Sequence, residues 1–156
     1  MTEPRSGEQI LNIPLQMQAE ICFIGHIESP WQSRSDCPRN LRDARERGQG
    51  AVLHVAPPFR PALDGIKTGD LLVALYWMQE ARRDLLRQVP AHRPEGAGTF
   101  ALRSPARPNP IGMGVVEVVE IDPASGRITI DAIDALDGTP LIDIKPHMAL
   151  ADRDGG

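Results

Sequence analysis

A chain of 156 residues with 41% hydrophobic and 24% charged side chains is long enough for one domain with a real core. No apolar run approaches the roughly 18 residues of a membrane span, and the opening MTEPRSGEQ lacks the apolar stretch of a secretory leader, so the expectation is a cytoplasmic protein with no membrane partner. A net charge of −4 argues against non-specific coating of nucleic acid, and two cysteines, Cys22 and Cys37, in no redox or metal spacing argue against a disulfide framework.

The charge is unevenly spread. From Arg34 to Arg93 there are 11 basic against 7 acidic residues, whereas Glu117 to Gly156 holds 3 basic against 9 acidic. Arginine supplies 15 of the 17 basic residues, the type suited to bidentate contacts with carboxylate or phosphate, although a solvated face explains such a patch as readily.

In chain order, residues 1–19 show no sustained periodicity and read as a loose arm, with Ile10 to Leu15 available to cover an edge. Residues 20–150 read as one domain. Ile21 to Ile27 is an apolar run ending at Glu28-Ser29-Pro30-Trp31, a strand and its turn. The arginine-rich stretch from Ser33 to Gly50 is either a mobile loop, a candidate lid, or a short helix that starts after the cap Asn40 and stops at Gly48. Ala51 to Val55 reads as a strand. Leu71 to Met78, LLVALYWM, is apolar at nearly every position and predicts a strand buried on both faces, followed by one or two helical turns over Gln79 to Gln88.

The stretch Thr99 to Gly114, TFALRSPARPNPIGMG, is stiffened by Pro105, Pro108 and Pro110 and carries two forked cations, Arg103 and Arg107. Such a loop holds a carboxylate at little ordering cost; a polyproline connector with solvated arginines is the competing reading. Gly112 and Gly114 allow a ligand or another strand to approach closely. Gly114 to Ile121 reads as a strand, and Arg127 to Asp131 as another in which Ile128 and Ile130 alternate with polar residues. A second glycine–proline loop, Asp134 to Pro140, precedes a short last strand, Leu141 to Ile144. Six or seven short strands with short connections predict a mainly β fold built on a closed or nearly closed antiparallel sheet.

Asp134, Asp137 and Asp143 crowd with Lys145 around that second loop. Carboxylates there accept from sugar hydroxyls, stabilise a cation or take a proton, although aspartate also forms such turns for conformational reasons alone. His26, His54, His92 and His147 have no ligand spacing, so no metal is expected. No glycine-rich phosphate cradle is present.

Five ordered blocks, IGHIESPW at Ile24–Trp31, PRN at Pro38–Asn40, LYWMQEARR at Leu75–Arg83, FALRSPARPNPIGM at Phe100–Met113 and DALDGTPLIDIKP at Asp134–Pro146, resemble the TrmO (tRNA methyltransferase O, or YaeB/TsaA-like) family. The resemblance implies a single-sheeted antiparallel β-barrel with short helices over residues 20–150, which works as a homodimer, binds S-adenosylmethionine and methylates N6 of threonylcarbamoyladenosine beside the tRNA anticodon. It assigns cofactor contacts to Pro38, Arg39, Asn40, Met78, Gln79, Arg103, Met113 and the loop Asp134, Ala135, Leu136 and Asp137. For the chemistry, residue type and clustering alone point to Asp137 or Asp143 to remove or hydrogen-bond the acceptor proton, with Lys145 paired to Asp143 or set against phosphate. The chain departs from the pattern of tRNA-modifying relatives in carrying PRN where they have PRQ, in Trp77-Met78-Gln79, and in stopping soon after Pro146, where many bacterial relatives continue into a further domain. Two alternatives stay open: a methyltransferase of this fold acting on a small molecule or protein, and a module that binds the cofactor without turnover.

Overall fold

The computed structural model describes residues 3–148. Nine strands are formed: β1 (Gln9–Ile10), β2 (Gly25–Glu28), β3 (Ala51–Val55), β4 (Leu71–Trp77), β5 (Leu85–Gln88), β6 (Ala97–Gly98), β7 (Ile111–Asp122), β8 (Arg127–Ile130) and β9 (Pro140–Pro146). One α-helix, α1 (Leu41–Glu46), and two 3₁₀ turns, Pro57–Leu63 and Thr99–Ala101, complete the elements. The chain divides into two compact units, residues 3–20 with 78–111, and residues 21–77 with 112–148.

The larger unit is built on a closed barrel in the order β2-β3-β8-β7-β4-β9. Closure leaves no free sheet edge, and inward-facing side chains fill the interior. Ile27, Leu53, Val116, Ile128, Ile130 and Leu141 are fully buried, each stabilising the fold by about 1.5–3 kcal/mol through removal of its side chain from water. Ile128 and Ile130 point inward as their alternation predicts. β4 differs from its expectation. Leu72, Ala74 and Tyr76 are buried, but Leu71 is 45% exposed and Val73, Leu75 and Trp77 are half-buried, because a barrel wall has only one interior face.

β2 also starts later than its apolar run, at Gly25, with Ile21, Cys22 and Phe23 exposed. Between β4 and β9 the register slips: Tyr76 faces Leu141 and Leu75 faces Asp143, so two residues of β9 oppose one step of β4. This bulge turns Asp143 and Lys145 to the outer wall, opposite Leu75 and Val73, while Leu141 stays inside.

The smaller unit holds a three-stranded antiparallel sheet, β1-β5-β6. The helical turns expected over Gln79 to Gln88 are absent; Leu85–Gln88 is a strand instead. Its partner β1 lies far away in sequence, with Gln9 opposite Arg87, and that pairing overrides a weak local helical preference.

Candidate functional site

In the larger unit the loop from Asp134 to Thr139 is clamped onto the segment Ile27 to Trp31. The Trp31 indole N–H donates to the Ile133 carbonyl at 2.8 Å, and the Ser29 hydroxyl donates to the Ala135 carbonyl at 2.7 Å. The Ser29 N–H donates to Asp137 Oδ1 at 3.0 Å, the Asp137 N–H to the Trp31 carbonyl at 2.8 Å, and the Gly138 N–H to the Ile27 carbonyl at 2.8 Å. Gly138 turns the chain at φ +77°, a conformation that other side chains rarely adopt. Thr139 closes the turn by donating its hydroxyl to the Leu136 carbonyl at 2.7 Å.

Ala135 is buried and Leu136 half-buried, which leaves the two carboxylates as the loop's chemical content. Asp134 Oδ1 accepts from the Tyr76 hydroxyl at 2.8 Å. Among the described residues, Oδ2 of Asp134 and Oδ2 of Asp137 accept no hydrogen bond, so each carboxylate is fixed through one oxygen and open at the other.

The PRN turn belongs to the same neighbourhood. The Cys37 thiol donates to the Asp134 carbonyl at 3.4 Å; burial, followed by the charge of Asp134, pushes that thiol up to about 11. Pro38 is buried, while Arg39 and Asn40 are exposed. Asn40 caps α1 by accepting from the Asp43 N–H at 2.9 Å, and Asp43 reaches back to accept from the Arg39 N–H at 3.0 Å.

The arginine-rich segment is fastened down. Arg47 donates to both oxygens of Asp43 and to the Asp36 carbonyl, and its guanidinium lies 5.2 Å from the Trp31 ring centroid. Hydrogen bonding from the Arg47 side chain, then from the Arg39 N–H, holds the Asp43 carboxyl below the usual aspartate range. Arg45 bridges to Asp131 at 2.7 Å and donates to the Val115 carbonyl at 2.5 Å. Among the described residues Arg42 pairs only with Glu46, one turn along an exposed face. Among the described residues, the side chains of Arg34 and Arg39 make no hydrogen bond or ion pair.

On β9, Asp143 pairs with Lys145 at 3.1 Å. On β7, Met113 is 44% exposed.

In the smaller unit the proline loop is braced by its own side chains. Arg107 donates to the carbonyls of Leu102, Ser104 and Thr99, and Arg83 to the Pro108 carbonyl and Asn109 Oδ1. Buried Gln88 donates to Thr99 Oγ1 and the Ala106 carbonyl. Arg103 is exposed, and its side chain makes no hydrogen bond or ion pair among the described residues. Met78 is half-buried with its N–H on the Pro110 carbonyl, and Gln79 is exposed.

Over residues 26–153 the chain matches the family described as the tRNA-methyltransferase O N-terminal domain. The chain belongs to the tRNA-methyltransferase O family. It is 40% identical over 150 residues, 96% of this chain and 83% of the relative, to a Rhizobium radiobacter protein named a probable S-adenosyl-L-methionine-binding protein, VirR. An Archaeoglobus fulgidus protein named S-adenosyl-L-methionine-binding protein is 40% identical over 80% of this chain and 86% of its own. The crystal structure of TrmO from Pseudomonas aeruginosa superposes with a TM-score of 0.66 at 30% identity, covering 87% of this chain; the chain spans 58% of the length of that TrmO.

The TrmO blocks of this chain thus hold two kinds of residue. Arg39, Asn40, Gln79, Arg103, Met113 and Asp137 present exposed groups, whereas Pro38, Ala135 and Leu136 shape the backbone that carries them. Three residues with a structural claim on the loop carried no individual role in the sequence: Ser29, Trp31 and Tyr76. Tyr76 is the chain's one tyrosine, set in an otherwise apolar strand, and a lone polar tip at such a place signals a buried partner.

No helix among the described residues is long and apolar enough to cross a membrane, and they contain no group of three or more His, Cys, Asp or Glu arranged to hold a metal.

Proposed function

We propose that this chain is an S-adenosylmethionine-dependent methyltransferase that works as a cytoplasmic homodimer on N6 of threonylcarbamoyladenosine beside the tRNA anticodon. The observation that carries the reading is the clamped Asp134–Asp137 loop, whose two carboxylates are each fixed through one oxygen and open at the other. A nucleoside offers hydroxyl donors to such a pair, and pre-ordering removes much of the cost of binding.

The donor set fits S-adenosylmethionine. Arg103 is a guanidinium with no hydrogen-bond or ion-pair partner among the described residues, suited to the amino-acid carboxylate. Asp134 and Asp137 accept from ribose hydroxyls, and Met78 and Met113 offer polarizable apolar surface for adenine. Pro38, Arg39, Asn40, Gln79, Ala135 and Leu136 complete the cofactor contacts. When bound, the cofactor supplies an electrophilic methyl group on a sulfonium.

The protein's task is to hold the acceptor in line and to manage its proton. An exocyclic adenine nitrogen is a poor nucleophile, and a carboxylate that accepts its proton raises its reactivity. Asp137 is the base in this reading, because its Oδ2 is open and the residue is exposed. Asp143, held by Lys145 on the outer wall of β9, supports acceptor binding.

Calorimetric titration with S-adenosylmethionine and S-adenosylhomocysteine tests the cofactor, and methyl transfer to tRNA lacking the modification tests the acceptor. Saturable binding lost in Arg103→Ala supports the reading. Binding without transfer to tRNA would shift the acceptor to a small molecule or protein, and no binding at millimolar ligand would remove the enzyme reading.

A further inference from the structure

We propose that Tyr76 is a positioning residue that sets the Asp134 carboxylate to receive the ribose hydroxyls of the cofactor, an inference that rests on the S-adenosylmethionine reading. Along the buried face of β4, Leu72 and Ala74 are purely apolar, and packing alone at position 76 asks only for an aromatic ring. The hydroxyl must therefore have a partner, since a buried hydroxyl without one costs free energy. Tyr76 is 3% exposed and donates to Asp134 Oδ1 at 2.8 Å.

The ring's place is specified from the facing strand as well. A Cβ at Gly112 would lie 2.0 Å from Tyr76 Cε2, so β7 carries a glycine as its second residue, and the ring fills the space. Beside Tyr76, the bulge opposite β9 fixes the local register at Leu141. Tyr76 thus reaches Asp134 from a site set by two strands and a register.

For Asp134 the consequence is rotational. The terminal torsion of an aspartate is broad, and a carboxylate left alone samples many orientations. The Tyr76 hydroxyl pins Oδ1, while the Cys37 thiol holds the Asp134 carbonyl, so main chain and side chain are both constrained and Oδ2 is presented in one direction. An acceptor aimed in advance binds a diol without the entropy of being ordered.

Tyr76→Phe keeps the ring against Gly112 and removes only the donor. The test titrates wild-type protein and Tyr76→Phe with S-adenosylhomocysteine and with its 2′,3′-dideoxy analogue. The expected result is about tenfold weaker binding of S-adenosylhomocysteine by Tyr76→Phe, with unchanged binding of the analogue and an unchanged melting temperature. Equal affinity of both proteins for S-adenosylhomocysteine overturns the inference, as does an equal loss for both ligands, which would mark a merely structural role. Should Tyr76→Phe fail to fold, Tyr76→4-fluorophenylalanine, which keeps the ring and a para substituent but no donor, gives the same readout: loss confined to the hydroxyl-bearing ligand supports the assignment, and loss for both or neither overturns it. Wild-type protein that binds no S-adenosylhomocysteine removes the cofactor reading and this inference together.

Discussion

Arg107 and Arg103 share one proline loop, yet only Arg107 is tied to its own backbone, donating to the carbonyls of Leu102, Ser104 and Thr99. The two positions should therefore separate stability from binding. Arg107→Ala leaves carbonyls without their donor and is expected to destabilise the chain by about 1–3 kcal/mol, read as a lower melting temperature. Arg103→Ala should melt like the wild type and lose S-adenosylmethionine binding in calorimetry. A large drop in melting temperature for Arg103→Ala would return that arginine to a structural role.

Asp137 serves the turn through Oδ1 and is open at Oδ2, so its two roles separate by choice of substitution. Asp137→Asn keeps an acceptor for the Ser29 N–H and removes the base; methyl transfer should fall about 10²-fold or more with little change in melting temperature. Asp137→Ala should lose the turn as well, costing about 1 kcal/mol further. Full turnover by Asp137→Asn would clear Asp137 of the proton-transfer role and point to another acceptor.

Local patterns made much of this fold legible. Alternation gave β8 its inward Ile128 and Ile130, and the cap Asn40 made a short helix one of two readings of the arginine-rich stretch that holds α1. What local patterns missed depended on partners distant in sequence. β5 exists because β1 pairs with it, and the Ser29 hydroxyl meets a carbonyl more than a hundred residues away. The Asp134–Asp137 loop was legible as a place for chemistry by residue type. Its rigidity was not, because the hydrogen bonds that join Ser29 and Trp31 to residues 133–137 are a product of the barrel bringing its first strand beside its last.

The two cysteines should differ sharply toward a thiol reagent. Cys22 is exposed, whereas burial and the neighbouring Asp134 raise the Cys37 thiol from 9.0 to about 11. Only the thiolate reacts, and a rise of that size leaves about a hundredfold less of it at pH 8. Ellman's reagent should therefore show one fast and one slow thiol, with Cys22→Ser removing the fast phase. A fast Cys37 would mean that the turn opens readily.

Acid should loosen α1 before it unfolds the barrel. The Asp43 carboxyl is held below its ordinary value by Arg47 and the Arg39 N–H, so its folded pKa is lower than its unfolded one. A depressed carboxylate stabilises the fold at pH values above its unfolded pKa of about 4, and that contribution is lost as pH falls through the folded pKa. Trp31 reports the change, because Arg47 sits over its ring. In a Trp77→Phe background, Trp31 emission should shift below about pH 4, and Asp43→Asn should abolish that transition. A transition that persists in Asp43→Asn would assign it to other carboxylates.

The arginines between Arg34 and Arg47 are not equivalent toward a polyanion. Arg45 is bound to Asp131 and the Val115 carbonyl, and Arg47 to Asp43 and the Asp36 carbonyl. A guanidinium already paired inside the fold releases few counterions when RNA arrives, whereas Arg34 and Arg39 have side chains free of partners among the described residues. If tRNA is the acceptor, Arg34→Ala and Arg39→Ala should each reduce the slope of log affinity against log salt by up to about 0.9 without altering the melting temperature. Arg45→Ala should do the reverse, lowering the melting temperature and leaving the slope alone. Slopes unmoved by Arg34→Ala and Arg39→Ala, in protein that still binds tRNA, would direct the search to the arginines of the smaller unit.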